Sequence, residues 1–130
     1  DDLARRLGGE ASELAMHRFP DGETLVRIEA PVQGRAVVLA CSLDHPDAKA
    51  LPLLFAADAA RELGATRVGL VAPYLAYMRQ DIAFQPGEAI SQQIVGHFLA
   101  DLFDAVITVD PHLHRISRLE QAIPTAKHSR

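Results

Sequence analysis

Apolar runs along this chain alternate with stretches of helical period, and that alternation sets the first expectation about the fold. Residues 36–41, 67–72 and 105–109 are short apolar runs, which read as strands; Ala36-Val-Val-Leu-Ala-Cys41 reads as a buried one. Between them, residues 47–63 and 90–103 read as helices. The first has Asp47 as its expected N-cap, Pro52 near its first turn and Gly64 as its C-cap. The second starts near Ser91 and repeats apolar residues at Ile94, Val95, Phe98, Leu99 and Leu102. Residues 14–18 and 24–29 flank Pro20-Asp-Gly22, a turn signal, and read as a hairpin. The fold expected is α/β, with a mostly parallel sheet flanked by helices.

Residues 73–88 have no clear period and contain two prolines, so they read as a long loop, a place where function often resides. The first residues, Asp1-Asp-Leu-Ala-Arg-Arg-Leu-Gly8, read as part of a helix with no strand before it. With the stop at His128-Ser-Arg130, this suggests one domain that is truncated at both ends.

Composition narrows the class. The 130 residues are 48% hydrophobic and 23% charged, with a formal net charge of −4. There is no basic patch of the kind that tracks a phosphate backbone, so nucleic acid is not an expected partner. No apolar run has the roughly 18 residues that a membrane span needs. Cys41 is the sole cysteine, which forbids an internal disulfide and suggests a reducing, cytoplasmic setting with an inert buried thiol.

Three polar clusters carry the candidate chemistry. The run Ala105-Val-Ile-Thr-Val ends in Asp110-Pro-His112-Leu-His114. Ligands of open α/β sheets sit outside the carboxyl ends of strands. A carboxylate and imidazoles at alternate positions could hold a divalent metal there; the lesser alternative is that Asp110 caps a helical turn beside surface histidines. His112 is the stronger candidate, and His114 could merely pack or meet a phosphate. The second cluster, Arg79-Gln80-Asp81, lies in the long loop, where an arginine fork suits phosphate and an amide can read a base edge. On its own it reads first as a solvated charged loop. Tyr74 and Tyr77 beside it suit either stacking or partial burial. The third, Phe19-Pro-Asp21-Gly-Glu23, puts an aromatic ring and two carboxylates on a tight turn, which fits a base-binding rim or a plain hairpin turn. His97, inside the second helix, reads as structural, and His17, His45 and His128 have no partner at ligand spacing.

Taken together and in this order, the clusters resemble ribose-phosphate diphosphokinase, also called phosphoribosyl pyrophosphate synthetase. The match runs from Phe19 to His114 through Phe-Pro-Asp-Gly-Glu, Pro73-Tyr-x-x-Tyr-x-Arg-Gln-Asp81 and Thr108-Val-Asp-x-His112. The resemblance implies the N-terminal half of a two-domain, phosphoribosyltransferase-like enzyme. Such enzymes move the β,γ-diphosphate of Mg-ATP to ribose 5-phosphate. It implies that Phe19, Asp21 and Glu23 reach the adenine of a neighbouring subunit's ATP, which requires a homo-oligomer. Arg79, Gln80 and Asp81 would line the ATP site, and His112, beside Asp110, would bind Mg2+. After His112, Leu113-His114-Arg115-Ile116 departs from the usual family pattern, and the loop after Asp81 lacks a neighbouring basic residue. The ribose 5-phosphate loop and the basic catalytic loop belong to the family's second half. These 130 residues alone are therefore expected to catalyse nothing, and the full-length parent is the expected enzyme. A non-catalytic regulatory homologue, binding nucleotide or a synthetase partner, is the alternative. A base-specific phosphoribosyltransferase is a weaker third, because its acidic diphosphate loop is not found.

Overall fold

The computed structural model describes residues 12, 14–73 and 82–108, and the backbone of residues 126–128. In these, strands β1 (Ala15–Arg18) and β2 (Thr24–Arg27) form an antiparallel hairpin. Strands β3 (Ala36–Ala40), β4 (Arg67–Ala72), β5 (Ala105–Thr108) and β6 (Ala126–His128) form a sheet in that spatial order, parallel throughout. Helix α1 (Asp47–Glu62) links β3 to β4, and helix α2 (Ser91–Leu102) lies between β4 and β5. The α/β fold with a mostly parallel sheet is therefore the one the pattern predicts.

Right-handed crossovers between neighbours in a sequential parallel sheet put their helices on one face. The core follows from that placement. Val68, Leu70 and Ala72 of β4 and Val106 of β5 project to the face where Leu53, Ala57 and Ala60 of α1 and Leu99 and Leu102 of α2 meet them. Buried residues of α1 fall at Leu53, Ala56, Ala57 and Ala60, one stripe of a helix, and its three alanines let the backbone come close to the sheet. The helix ends as Gly64 enters the left-handed region at φ 96°. Its N–H donates to Arg61 O, while Ala65 N–H donates to Ala60 O, both at 3.0 Å. This is the paired closure that favours glycine after a helix.

Several details differ from the sequence expectation. Pro46, not Asp47, occupies the N-cap of α1, and Asp47 is the first helical residue. Pro52 sits inside the helix at its sixth position, where it has no N–H to give the carbonyl of Ala48. Strand β3 is not buried on both sides. Val37 and Leu39 pack on the core, but Val38 on the other face is 46% exposed. Among the described strands β3 lies at the sheet's edge, so a continuous apolar run here does not mean two covered faces. Cys41 is accordingly half-buried, and desolvation pushes its thiol pKa up, which keeps it protonated and inert. On α2, Ile94 is 57% exposed, whereas Gln92 is buried.

One contact that joins β4 to β5 has a measurable consequence. Asp104 Oδ2 accepts the Val68 N–H at 2.8 Å, and the Asp104 N–H donates to Val68 O at 2.8 Å. Arg61 reaches the same carboxylate at 3.5 Å and donates to Leu102 O at 2.6 Å. The Val68 hydrogen bond, aided by Arg61 against desolvation, holds the Asp104 pKa below the usual carboxylate value. Asp104→Ala orphans the amide of a fully buried residue and is expected to cost about 1–2 kcal/mol in denaturant unfolding at neutral pH. Because the folded pKa is lowered, the carboxylate's contribution is present above the unfolded value, about pH 4. It is lost as pH falls through the folded value. Asp104→Asn keeps an acceptor and should flatten that part of the pH dependence. An unchanged acid limb in Asp104→Asn would refute the assignment.

Candidate nucleotide-binding site

The β1–β2 connection is built by its own residues. The Phe19 N–H donates to Glu23 O at 2.8 Å, and the Gly22 N–H to Phe19 O at 2.9 Å. Pro20 takes the second turn position, which suits its fixed φ, and Gly22 follows at φ 94°, where a residue with a Cβ is strained. Asp21 Oδ1 accepts the Glu23 N–H at 3.0 Å. That bond holds the Asp21 carboxyl below its ordinary pKa. Asp21 thus locks the turn, and the locked turn presents Phe19, which remains 42% exposed.

Strand alternation then sorts the hairpin into two faces. Thr24, Val26 and Ile28 are half-buried, and Ile28 packs against the core beside α1. His17, Phe19, Glu23, Leu25 and Arg27 are exposed on the other face. His17 and Phe19 meet edge to face, with centroids 4.7 Å apart and planes at 79°.

The other two clusters enter through strand ends. Ala72 and Thr108 are register partners, so β4 and β5 finish at the same level. Arg79, Gln80, Asp81, Asp110, His112 and His114, with Tyr74 and Tyr77, lie outside the described residues. The loop that carries the first group begins at Pro73, and the Asp110 segment begins directly after Thr108. Both therefore leave the sheet from adjacent strands, at the carboxyl edge where open α/β sheets bind ligands.

The same edge holds a group that sequence reasoning passed over. In the loop after β3, Asp44 Oδ1 and Ser42 O accept from Lys49 Nζ, in the first turn of α1, at 2.7 and 2.8 Å. His45 Nδ1 lies 3.3 Å from Asp44 Oδ2, so His45 does have a carboxylate neighbour. The Lys49 hydrogen bond, followed by that of His45, takes the Asp44 pKa down to about 2. The available signal was the position, a polar run between a strand and a helix. An apolar cleft of about 370 Å3 opens beside it, lined by Leu43, Pro46, Ala50, Leu53, Ile94 and Phe98, and offers little to a phosphate. Among the described residues no three His, Cys, Asp or Glu side chains are grouped to hold a metal ion, and no helix is long and apolar enough to cross a membrane. His97 is exposed on α2 and belongs to neither group.

The model of the N-terminal domain of ribose phosphate pyrophosphokinase matches residues 1–102. The chain belongs to that family. The matched span includes both the Phe19 turn and Arg79-Gln80-Asp81. A ribose-phosphate pyrophosphokinase of Methanopyrus kandleri is 40% identical over 110 residues, covering 85% of this chain and 38% of that protein. One from Halobacterium salinarum is 38% identical over 110 residues, covering 85% of this chain and 39% of its own. The crystal structure of phosphoribosylpyrophosphate synthetase from Mycobacterium smegmatis superposes with a TM-score of 0.79. It covers 97% of this chain and 42% of that one, at 23% identity, and so shows the shared fold. This chain spans about two fifths of the length of the pyrophosphokinases it matches.

Proposed function

We propose that this chain is the N-terminal, ATP-binding domain of a two-domain ribose-phosphate pyrophosphokinase. The observation that carries the reading is the common level of Ala72 and Thr108, which brings the roots of the Arg79 and His112 segments together in a chain of this family. In the reaction, the anomeric hydroxyl of ribose 5-phosphate attacks the β-phosphorus of ATP. The bond from that phosphorus to the α,β-bridging oxygen breaks, AMP leaves, and the hydroxyl proton is lost. Such transfer needs positioning and charge neutralisation more than covalent help from the protein.

The residues divide that work. Phe19 offers a ring to the adenine, Asp21 holds the turn, and Glu23 supplies an acceptor at its rim. Arg79 brings a planar cation to the phosphate oxygens, Gln80 an amide to the base, and Asp81 an acceptor beside them. Asp110 and His112 would hold Mg2+: a carboxylate beside substrate phosphates suits that ion, and an imidazole adds a nitrogen donor. The ion, when bound, supplies neutralising charge at the transferred diphosphate. The Phe19–Glu23 turn serves a neighbouring subunit, so the complete protein is a homo-oligomer, and a single unpaired thiol is in keeping with the cytoplasm.

The test is AMP release by the full-length protein with Mg-ATP, with and without ribose 5-phosphate. Sugar-dependent AMP, one per phosphoribosyl pyrophosphate formed, is the expected result. ATP binding without AMP release would replace this reading with a non-catalytic regulatory homologue. A fully active monomer in sedimentation would remove the shared-site part.

A further inference from the structure

We propose that His17 is a positioning residue for the base: its imidazole sets the tilt of the Phe19 ring, and so the affinity for the purine of ATP. The inference rests on the reading of the turn given above, and extends the site from the turn onto the strand.

His17 and Phe19 are two residues apart along an extended segment, so both project from the same face of the hairpin. Their edge-to-face contact at 4.7 Å and 79° is one of the two favoured arrangements for a pair of rings. Across the ladder His17 pairs with Leu25, which is exposed on this same face. The imidazole is thus flanked by an apolar residue on the neighbouring strand and by the Phe19 ring along its own. Asp21 and the two backbone hydrogen bonds fix the main chain of the turn, but they leave the Phe19 side chain its rotamers. Among the described residues, His17 makes the one ring contact that would restrict them. A platform held at one tilt loses less freedom when a base stacks on it, which improves binding without touching the reacting phosphates. The aromatic pair is exposed, so it contributes little to a core, and its placement on the open face suits a ligand.

The experiment is steady-state kinetics of the full-length protein carrying His17→Ala, His17→Phe, Phe19→Ala and the double alanine variant. His17→Ala should raise the KM for ATP roughly 3- to 10-fold, in line with the strength of such ring pairs. It should leave kcat within about twofold and the KM for ribose 5-phosphate unmoved. His17→Phe, which restores a ring edge, should recover most of the loss. The double variant should be no worse than Phe19→Ala, because His17 acts through that ring. If Phe19→Ala raises the KM for ATP and His17→Ala does not, the inference falls while the reading of the turn stands. If neither moves it, the reading of the turn falls, and this inference with it. If His17→Ala lowers kcat and thermal stability together with no change in KM, His17 is merely structural and the inference is overturned.

Discussion

His112→Ala in the full-length protein is expected to cut magnesium-dependent AMP formation by about 100-fold or more. The size follows from what the side chain is proposed to do. Removing one group that stabilises charge developing at a transferred phosphate costs about two to three orders of magnitude in kcat. Removing a nitrogen donor also weakens the hold on the ion, so higher Mg2+ should recover part of the rate. His97→Ala is the matched control. It deletes an imidazole of the same kind from the exposed surface of α2, with no placement near a strand end, and should stay within about twofold. The pair separates a ligand from a histidine that simply occurs nearby in sequence. Equal losses in the two variants would sink the assignment of His112. Full activity in His112→Ala would sink it as well, while leaving the family and fold untouched.

Much of the scaffold around that site is legible from local pattern, and the reasons are specific. The run Arg67–Ala72 is short and apolar, with Val68, Leu70 and Val71, and β4 occupies the span read for it. Gly64 ends α1 because only a residue without a Cβ takes φ 96° easily, and Pro20-Asp-Gly22 makes a turn for the same reason. What local pattern misses depends on partners far along the chain. The carboxylate of Asp104 meets the Val68 amide 36 residues away and Arg61 43 residues away, and no short window contains that. Gln92 is buried and Ile94 exposed although the apolar period of α2 would place them the other way round, because neighbouring elements choose which stripe is covered. The exposure of Val38 has the same origin: an apolar run looks alike whether one face is covered or two. In the hairpin, the turn itself was readable because glycine, proline and aspartate act locally. The Asp44, His45 and Lys49 group was not, since Lys49 returns to Asp44 only once α1 has formed.

Phe103→Ala is the substitution with the largest expected effect on stability, a loss of about 3–5 kcal/mol. Phe103 follows α2 directly, in extended backbone at φ −122° and ψ 142°, and its N–H caps the helix by donating to Leu99 O at 2.9 Å. Its ring is among the largest fully buried side chains, in one cluster with Leu70, Leu99 and Val106. The ring therefore fills the corner where α2 turns into β5. Truncation removes its transfer free energy and leaves a void that alanine cannot fill. Phe103→Leu, which keeps most of the volume, should cost much less, about 1–2 kcal/mol. Phe55 on α1 is exposed by 41%, and Phe55→Ala should change stability by well under that of the Phe103 variant. Urea unfolding of the full-length protein gives the comparison through the shift of the midpoint. There is also a functional consequence. Thr108 lies five residues beyond Phe103, and its register against Ala72 sets where the Asp110 and His112 segment leaves the sheet. If the proposed roles hold, a protein with Phe103→Ala that remains folded should therefore lose magnesium-dependent rate, while the ATP affinity proposed for the hairpin changes little. Loss of less than 1 kcal/mol would show that the corner relaxes to fill itself, and would refute the role given to this ring.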